Sequence, residues 1–346
     1  MNPNFFNPNT VKVPNGNYFA LPYTTEEADI VLLSVPWDVT TSYLPGTHQG
    51  PRAMIEASVQ IDLFDPLVPH AWEIPIGTLP FIDGMDALNS GARKEAEEVI
   101  AAYERGVESA SCSSSLQLIN NACTEMNRSV YRATIEQIEK GKLVGIVGGE
   151  HSVPLGAIEA LAQYYPSFGI LQIDAHADLR CAYEGFLYSH ASIMYNAIAL
   201  PQIDSLVQVA IRDYCQDEAQ IIHSRENIHC FTDEYLRRNL FEGVTWKELC
   251  TQIVEKLPNQ VYISFDIDGL SPDLCPNTGT PVPGGLTFRE ADYLLYTLAT
   301  SGKRIIGFDL CEVAPAAHNE WDANAGARVL YKLCCYSHLN RCVIAT

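Results

Sequence analysis

From Ile30 onward the chain repeats one figure: a short apolar run, a turn, then a longer stretch with apolar residues at helical spacing. The runs at 30–35, 74–79, 143–147, 168–173, 206–211, 227–231, 261–265 and 304–308 are nearly continuous in apolar residues. That pattern predicts strands covered on both faces, as in a parallel sheet. Between them the spacing predicts helices at 92–103, 116–140, 154–165, 245–256 and 288–301, with residues 112–115 as a loop tip between two helices. The alternation predicts one α/β domain over 28–346, wound on a largely parallel sheet of about eight strands. Residues 1–27, rich in Asn and Pro and without a period, read as an irregular arm.

Two of the apolar runs end in side chains of a different kind. DAHADLR at 174–180 and SFDIDG at 264–269 place polar donors on alternate residues. Asp174, His176 and Asp178 share one face of an extended chain, as do Asp266 and Asp268. A third run leads into GGEHS at 148–152, where Gly148 and Gly149 let the backbone turn sharply and bring His151 close to a site. In an open parallel sheet such positions all lie at the carboxyl edge. Four carboxylates and two imidazoles converging there suit a pair of hard-to-borderline divalent ions. Left unpaired in a cleft, the carboxylates would cost several kcal/mol each. Asp273 and Asp309 read instead as a turn residue and a strand-end hydrogen-bond acceptor.

Charge narrows the partners. A formal net charge of −20 excludes nucleic acid and anionic membrane surfaces as natural partners and favours a cationic substrate. Eleven scattered cysteines without a Cys-x-x-Cys pair read as reduced thiols in a cytoplasmic protein. The N-terminal stretch lacks the basic and apolar blocks of a signal peptide, and no uncharged run approaches membrane-spanning length.

GGEHS, DAHADLR, SFDIDGLSPDLCPNTGTPVPGG and GFDLCEVAP occur in that order and together resemble the ureohydrolases, the arginase–agmatinase family. LPGTHQGPRAMIEAS at 44–58 is similar to the family's early loop and helix. The resemblance implies a three-layer α/β/α fold, two divalent ions (Mn²⁺, or Ni²⁺ in some relatives) and hydrolysis of a guanidino group to urea and an amine. It implies that His151, Asp174, Asp178 and Asp266 hold one ion and Asp174, His176, Asp266 and Asp268 the other. It further implies that His190, in YSHAS, transfers a proton, and that Glu312 pairs with the guanidinium. Asp178 then serves catalysis as well as metal binding, and Thr280 offers a hydroxyl near the same group. A homotrimer or homohexamer is the expected assembly. Two ions sharing a water would lower its pKa toward neutrality, which the poorly electrophilic guanidinium carbon requires.

Within the resemblance, DLRCAYEGFLYSHAS follows the agmatinase-type pattern and lacks the Asn and Ser with which arginases bind an amino-acid head group. A small guanidino substrate such as agmatine is therefore expected, with Glu184 as a candidate partner for its distant ammonium. Trp321, in NEWDANAGAR, could stack on a planar cation, which brings free guanidine into contention. Guanidinobutyrate hydrolysis, formimino or amide hydrolysis on the same site, and a catalytically silent oligomeric binding protein are the remaining alternatives.

Overall fold

Eight strands, β1 (Ile30–Val35), β2 (Ile76–Thr78), β3 (Leu143–Gly148), β4 (Phe168–Ile173), β5 (Ile203–Val209), β6 (Ile228–Phe231), β7 (Gln260–Asp266) and β8 (Arg304–Cys311), form one sheet. Their order is β2-β1-β3-β8-β7-β4-β5-β6, and every pairing is parallel. The structure, a computed structural model, describes residues 6–106 and 109–345, so the first five residues of the expected arm lie outside the described residues. All eight predicted strands are present; the apolar runs of β1, β3, β4 and β7 are buried on both faces, while the edge strands β2 and β6 are shorter and partly exposed.

The helices are α1 (Gly50–Ser58), α2 (Met85–Glu104), α3 (Ser113–Glu139), α4 (Leu155–Tyr164), α5 (Ile193–Ala197), α6 (Gln216–Ser224), α7 (Asp233–Phe241), α8 (Trp246–Glu255), α9 (Phe288–Ala299) and α10 (Trp321–Ala345). Alternate strand residues enter two cores. Ile30 and Leu32 belong to the same core as Met54 of α1, Leu249 of α8, Leu294 of α9 and Leu330 of α10. Val31, Leu33 and Val35 belong to a second core with Ala96 of α2, Val130 of α3, Ile158 of α4 and Met194 of α5. The result is the three-layer α/β/α arrangement. Each such side chain stabilises the fold by about 1.5–3 kcal/mol relative to exposure.

Local signals set the helix starts. Thr245 with Glu248, and Thr287 with Glu290, form capping boxes at α8 and α9. Residues 112–115 are not a loop tip: a 3-10 turn over Ser109–Cys112 runs straight into α3 at Ser113. Small hydroxyl residues suit a first helical turn, and Ser115 donates to Glu95 of α2. The arm is also less peripheral than its composition suggests, since Tyr18, Phe19 and Leu21 are buried in the α1 and α10 side of the core. Among the described residues no helix is long and apolar enough to cross a membrane.

The sheet order decides where chemistry can sit. β1, β3, β8, β7 and β4 are consecutive neighbours, and their registers place the strand ends side by side. Val35 pairs with Gly148, Asp266 with Cys311, and Ile173 with Phe265. The ends of these five strands and the segments that leave them carry the six candidate ligands, Glu312, His190 and Thr40.

Gly149 makes one of those exits possible. A Cβ there would stand 1.9 Å from the Trp37 carbonyl oxygen, because the backbones cross and Glu150 N donates to that oxygen at 2.8 Å. Gly149→Ala is therefore expected to cost at least about 3 kcal/mol in urea denaturation. Gly91→Ala is the control: it lies in α2 with open space around the added atom and should stabilise by about 0.5–1 kcal/mol. Equal effects from the two would show that the crossing is not tight.

Candidate metal centre

The turn after β3 carries His151, the segment after β4 carries Asp174, His176 and Asp178, and the end of β7 carries Asp266 and Asp268. The structure brings these six side chains together. His151 Nδ1 lies 3.0 Å from Asp174 Oδ2, 3.0 Å from Asp178 Oδ2 and 3.3 Å from Asp266 Oδ2. His176 Nδ1 lies 3.0 Å from Asp268 Oδ2 and 3.6 Å from Asp174 Oδ1. Asp174 faces both groups, one with each carboxylate oxygen, so the two donor sets share an edge.

Backbone amides pin several carboxylates by one oxygen each. Asp174 Oδ1 accepts from His176 N, Asp266 Oδ1 from Asp268 N, and Asp268 Oδ1 from Ala175 N. A buried amide chain steadies Asp174 from behind: Gln208 Nε2 donates to Gln172 Oε1, and Gln172 Nε2 to Asp174 Oδ2. On the far side of His151, Nε2 meets Ser264 Oγ at 2.9 Å. A proton on Nε2 there leaves the Nδ1 lone pair turned into the cluster.

His151 Nδ1 is buried and makes no hydrogen bond, although three carboxylate oxygens surround it within 3.3 Å. One proton cannot serve three acceptors, whereas a cation coordinated by nitrogen and oxygen can. The residues present thus fit a pair of divalent ions. Electrostatics agree. Burial would depress His151 and His176, but the carboxylates around them reverse this, raising His151 well above its ordinary value and His176 to about 12. Burial, with the charges of Asp268 and Asp174, pushes Asp266 well up. Burial and the Asp174 charge likewise raise Asp178. Asp174 is held below the usual range, because the two imidazoles outweigh its burial.

Glu312 follows β8 and is buried beside this cluster. Its Oε1 accepts from His151 N at 2.8 Å and its carbonyl from Thr278 Oγ1 at 2.8 Å, while Oε2 has no partner. A Cβ on Gly279 would come within 3.2 Å of that free oxygen, so the glycine leaves space in front of it. Burial and the Glu150 charge raise the Glu312 carboxyl well above its ordinary value. Two of these residues are held in the left-handed region, Asp178 at φ 54° and Glu312 at φ 62°. Each such non-glycine position costs on the order of 1–3 kcal/mol, and here the strain aims a side chain into the cluster.

A cleft of about 160 Å³ opens over His176 and Asp178, lined also by His190, Thr280, Arg180, Tyr183, Asp213 and Glu218. His190 Nδ1 is 3.2 Å from Thr40 Oγ1, and its ring meets Tyr183 edge-on with centroids 6.1 Å apart. Burial and the charged imidazoles of His176 and His151 lower His190 to about 3, so its ring is neutral at pH 7. Arg180 stacks on Tyr183 and lies 3.7 Å from Glu218.

Two expected substrate contacts are not among the cleft's lining residues. Trp321 donates from Nε1 to the Asp273 carbonyl and lines a separate groove of about 450 Å³ with Phe64, Leu274 and Arg328. Glu312 is not among that groove's lining residues. Glu184 sits at φ 53° in a tight turn closed by Tyr183 and Phe186, and its Oε2 is buried without a partner. Thr280 does line the cleft, but the hydroxyl that braces Glu312 belongs to Thr278. Sequence reasoning missed Thr278, Ser264, Gln172 and Thr40. Ser264 and Gln172 alternate with predicted donors on the same strands, a signal that was available, whereas nothing local marked Thr40.

Residues 28–335 match the sequence profile of the Arginase family. An N(1)-aminopropylagmatine ureohydrolase of Thermus thermophilus is 32% identical over 290 residues, 84% of each chain. An agmatinase of Bacillus subtilis is 29% identical over 312 residues, 89% of this chain and 91% of the relative. The crystal structure of an agmatine ureohydrolase of Thermoplasma volcanium superposes with a TM-score of 0.71 at 20% identity, covering 94% of this chain and 96% of that one.

Titrating Mn²⁺ into chelator-treated protein is expected to raise the melting temperature by at least about 5 °C. Calorimetry in two buffers should show protons released on loading, since His151 and His176 must give theirs up. Asp174→Asn, which removes the shared carboxylate, should abolish the shift. An unchanged melting temperature in the native protein would mean that the six side chains hold no divalent ion.

Proposed function

This chain belongs to the arginase family, and on that premise we propose that it hydrolyses a small guanidino-amine of the agmatine or N(1)-aminopropylagmatine class to urea and an amine. Its relatives are ureohydrolases, hydrolases of C–N bonds in linear amidines. The observation that carries the reading is the free Oε2 of Glu312, a buried carboxylate oxygen without a partner beside six converging donors. A planar, cationic fork of N–H donors is the ligand such an oxygen calls for.

His151, Asp174, Asp178 and Asp266 would hold one divalent ion, and Asp174, His176, Asp266 and Asp268 the other. Bound there, the ions would supply Lewis acidity and lower the pKa of an attacking water. The oxygen-rich donor set favours Mn²⁺, with Ni²⁺ and Co²⁺ as the alternatives. Glu312 accepts the guanidinium N–H groups and fixes the carbon for attack. Neutral His190 takes the proton that the water gives up and delivers it to the leaving amine. Water thereby adds across the C–N bond, and urea and the amine separate. The cleft over His176 and Asp178 would take the substrate's tail.

The acidic chain suits a cationic tail. With Trp321 outside the cleft, free guanidine loses the stacking wall that favoured it. The assignment also includes a single domain over 28–346, a homotrimeric or homohexameric assembly and a cytoplasmic setting. The last accords with eleven cysteines, all free.

Urea release is to be measured after loading with Mn²⁺ or Ni²⁺, across agmatine, N(1)-aminopropylagmatine, guanidinobutyrate, guanidine and arginine. The two guanidino-amines are expected to lead, and arginine to give least. Ammonia or formamide in place of urea selects formimino or amide hydrolysis, and no turnover with any compound leaves a silent binding protein. Glu312→Gln should lower kcat/KM by at least about a hundredfold without loss of bound metal.

A further inference from the structure

We propose that Thr40 and Glu150 form a positioning pair that fixes the tautomer of His190, an inference resting on the shuttle role assigned to His190 above. Thr40 stands in the segment that follows β1, and Glu150 lies between Gly149 and His151 after β3. Neither belongs to the donor set, yet both are fully buried.

Glu150 is filled as an acceptor. Its Oε1 takes Ser152 Oγ at 2.6 Å and Thr40 Oγ1 at 2.8 Å. Its Oε2 takes Thr40 N at 2.7 Å and Thr41 Oγ1 at 3.3 Å. An ionised carboxylate accepts and does not donate, and the four donors gathered on Glu150 favour that state against the burial that raises its carboxyl to about 7. The single hydroxyl hydrogen of Thr40 therefore points at Glu150, since two oxygens 2.8 Å apart with no hydrogen between them would repel.

With its hydrogen committed, Thr40 Oγ1 can only accept from its remaining neighbours. Those are His190 N at 3.0 Å and His190 Nδ1 at 3.2 Å. Ser189 Oγ also faces Nδ1, at the longer distance of 3.4 Å; with the nearer Thr40 oxygen open only to a donor, the neutral imidazole carries its proton on Nδ1, and Nε2 keeps the lone pair. A shuttle needs that state: Nε2 receives the proton from water and releases it to the amine, while Nδ1 stays protonated throughout. The opposite tautomer would present an N–H to the water and could not act as a base. Arg93 holds the segment in place, donating from one guanidinium nitrogen to the carbonyls of Asp38, Val39 and Thr41.

The test is a double-mutant cycle between Thr40 and His190, read as urea release from whichever panel compound turns over fastest, with metal content measured on each protein. Thr40→Val keeps the shape and removes the hydroxyl. It should lower kcat by about ten- to a hundredfold with KM and bound metal unchanged, and Thr40→Ser should restore kcat to within about threefold. Thr40→Ala takes the place of the valine variant if that protein does not fold. In a His190→Asn background the Thr40 substitution should have no further effect. An unchanged kcat in Thr40→Val overturns the inference, as does an equal loss in the His190→Asn background, which would mean that Thr40 acts elsewhere. A His190→Asn enzyme with full activity overturns the shuttle role itself, and is told apart because it fails before Thr40 is touched.

Discussion

Four carboxylates buried around two imidazoles cannot remain charged without positive partners, and that constraint organises the rest of the molecule. The cost of burying one unpaired carboxylate is several kcal/mol, a large share of what any fold has to spare. Protons on the imidazoles relieve part of it, which is why both histidines are raised so far. They cannot satisfy the geometry, since three oxygens crowd one nitrogen that has at most a single proton to give. Divalent charge does both. The surroundings, with carboxylates pinned by backbone amides and Asp174 backed by Gln172, hold the donors apart at positions they would otherwise leave.

The sheet supplies the rigidity. Five adjacent parallel strands end at one edge, so the segments leaving them cannot drift independently without breaking register. Each segment contributes a different kind of group: donors from β3, β4 and β7, a free carboxylate oxygen from β8, and a hydroxyl from the segment after β1. The strained residues Asp178 and Glu312 lie on two of these exits. A strained backbone persists only where its surroundings over-determine it, and here strand pairing and side-chain anchors do so together.

Much of this was legible in the sequence. The strands followed from apolar runs, and donors stood at alternate positions at the ends of two of them, where pleat geometry makes convergence a local property, with His151 following a third. What could not be read depends on long-range packing. Thr40 reaches His190 across 150 residues of chain, and no spacing rule links them. Trp321 is near Glu312 in sequence, yet it lines another groove and donates to the Asp273 carbonyl. α10 gave no amphipathic stripe because it is buried on nearly every side, by Ala323, Ala327, Leu330, Leu333, Cys334 and Tyr336 among others. The seryl run at 113–115 looked like a loop because serine favours turns, yet the same hydroxyls serve a first helical turn equally well.

Anomalous diffraction at the manganese edge, from crystals grown with Mn²⁺, tests the central claim most directly. The account predicts two peaks, one beside His151 Nδ1 and one beside His176 Nδ1, with Asp174 touching both. A single peak elsewhere, or none at saturating Mn²⁺, would contradict it.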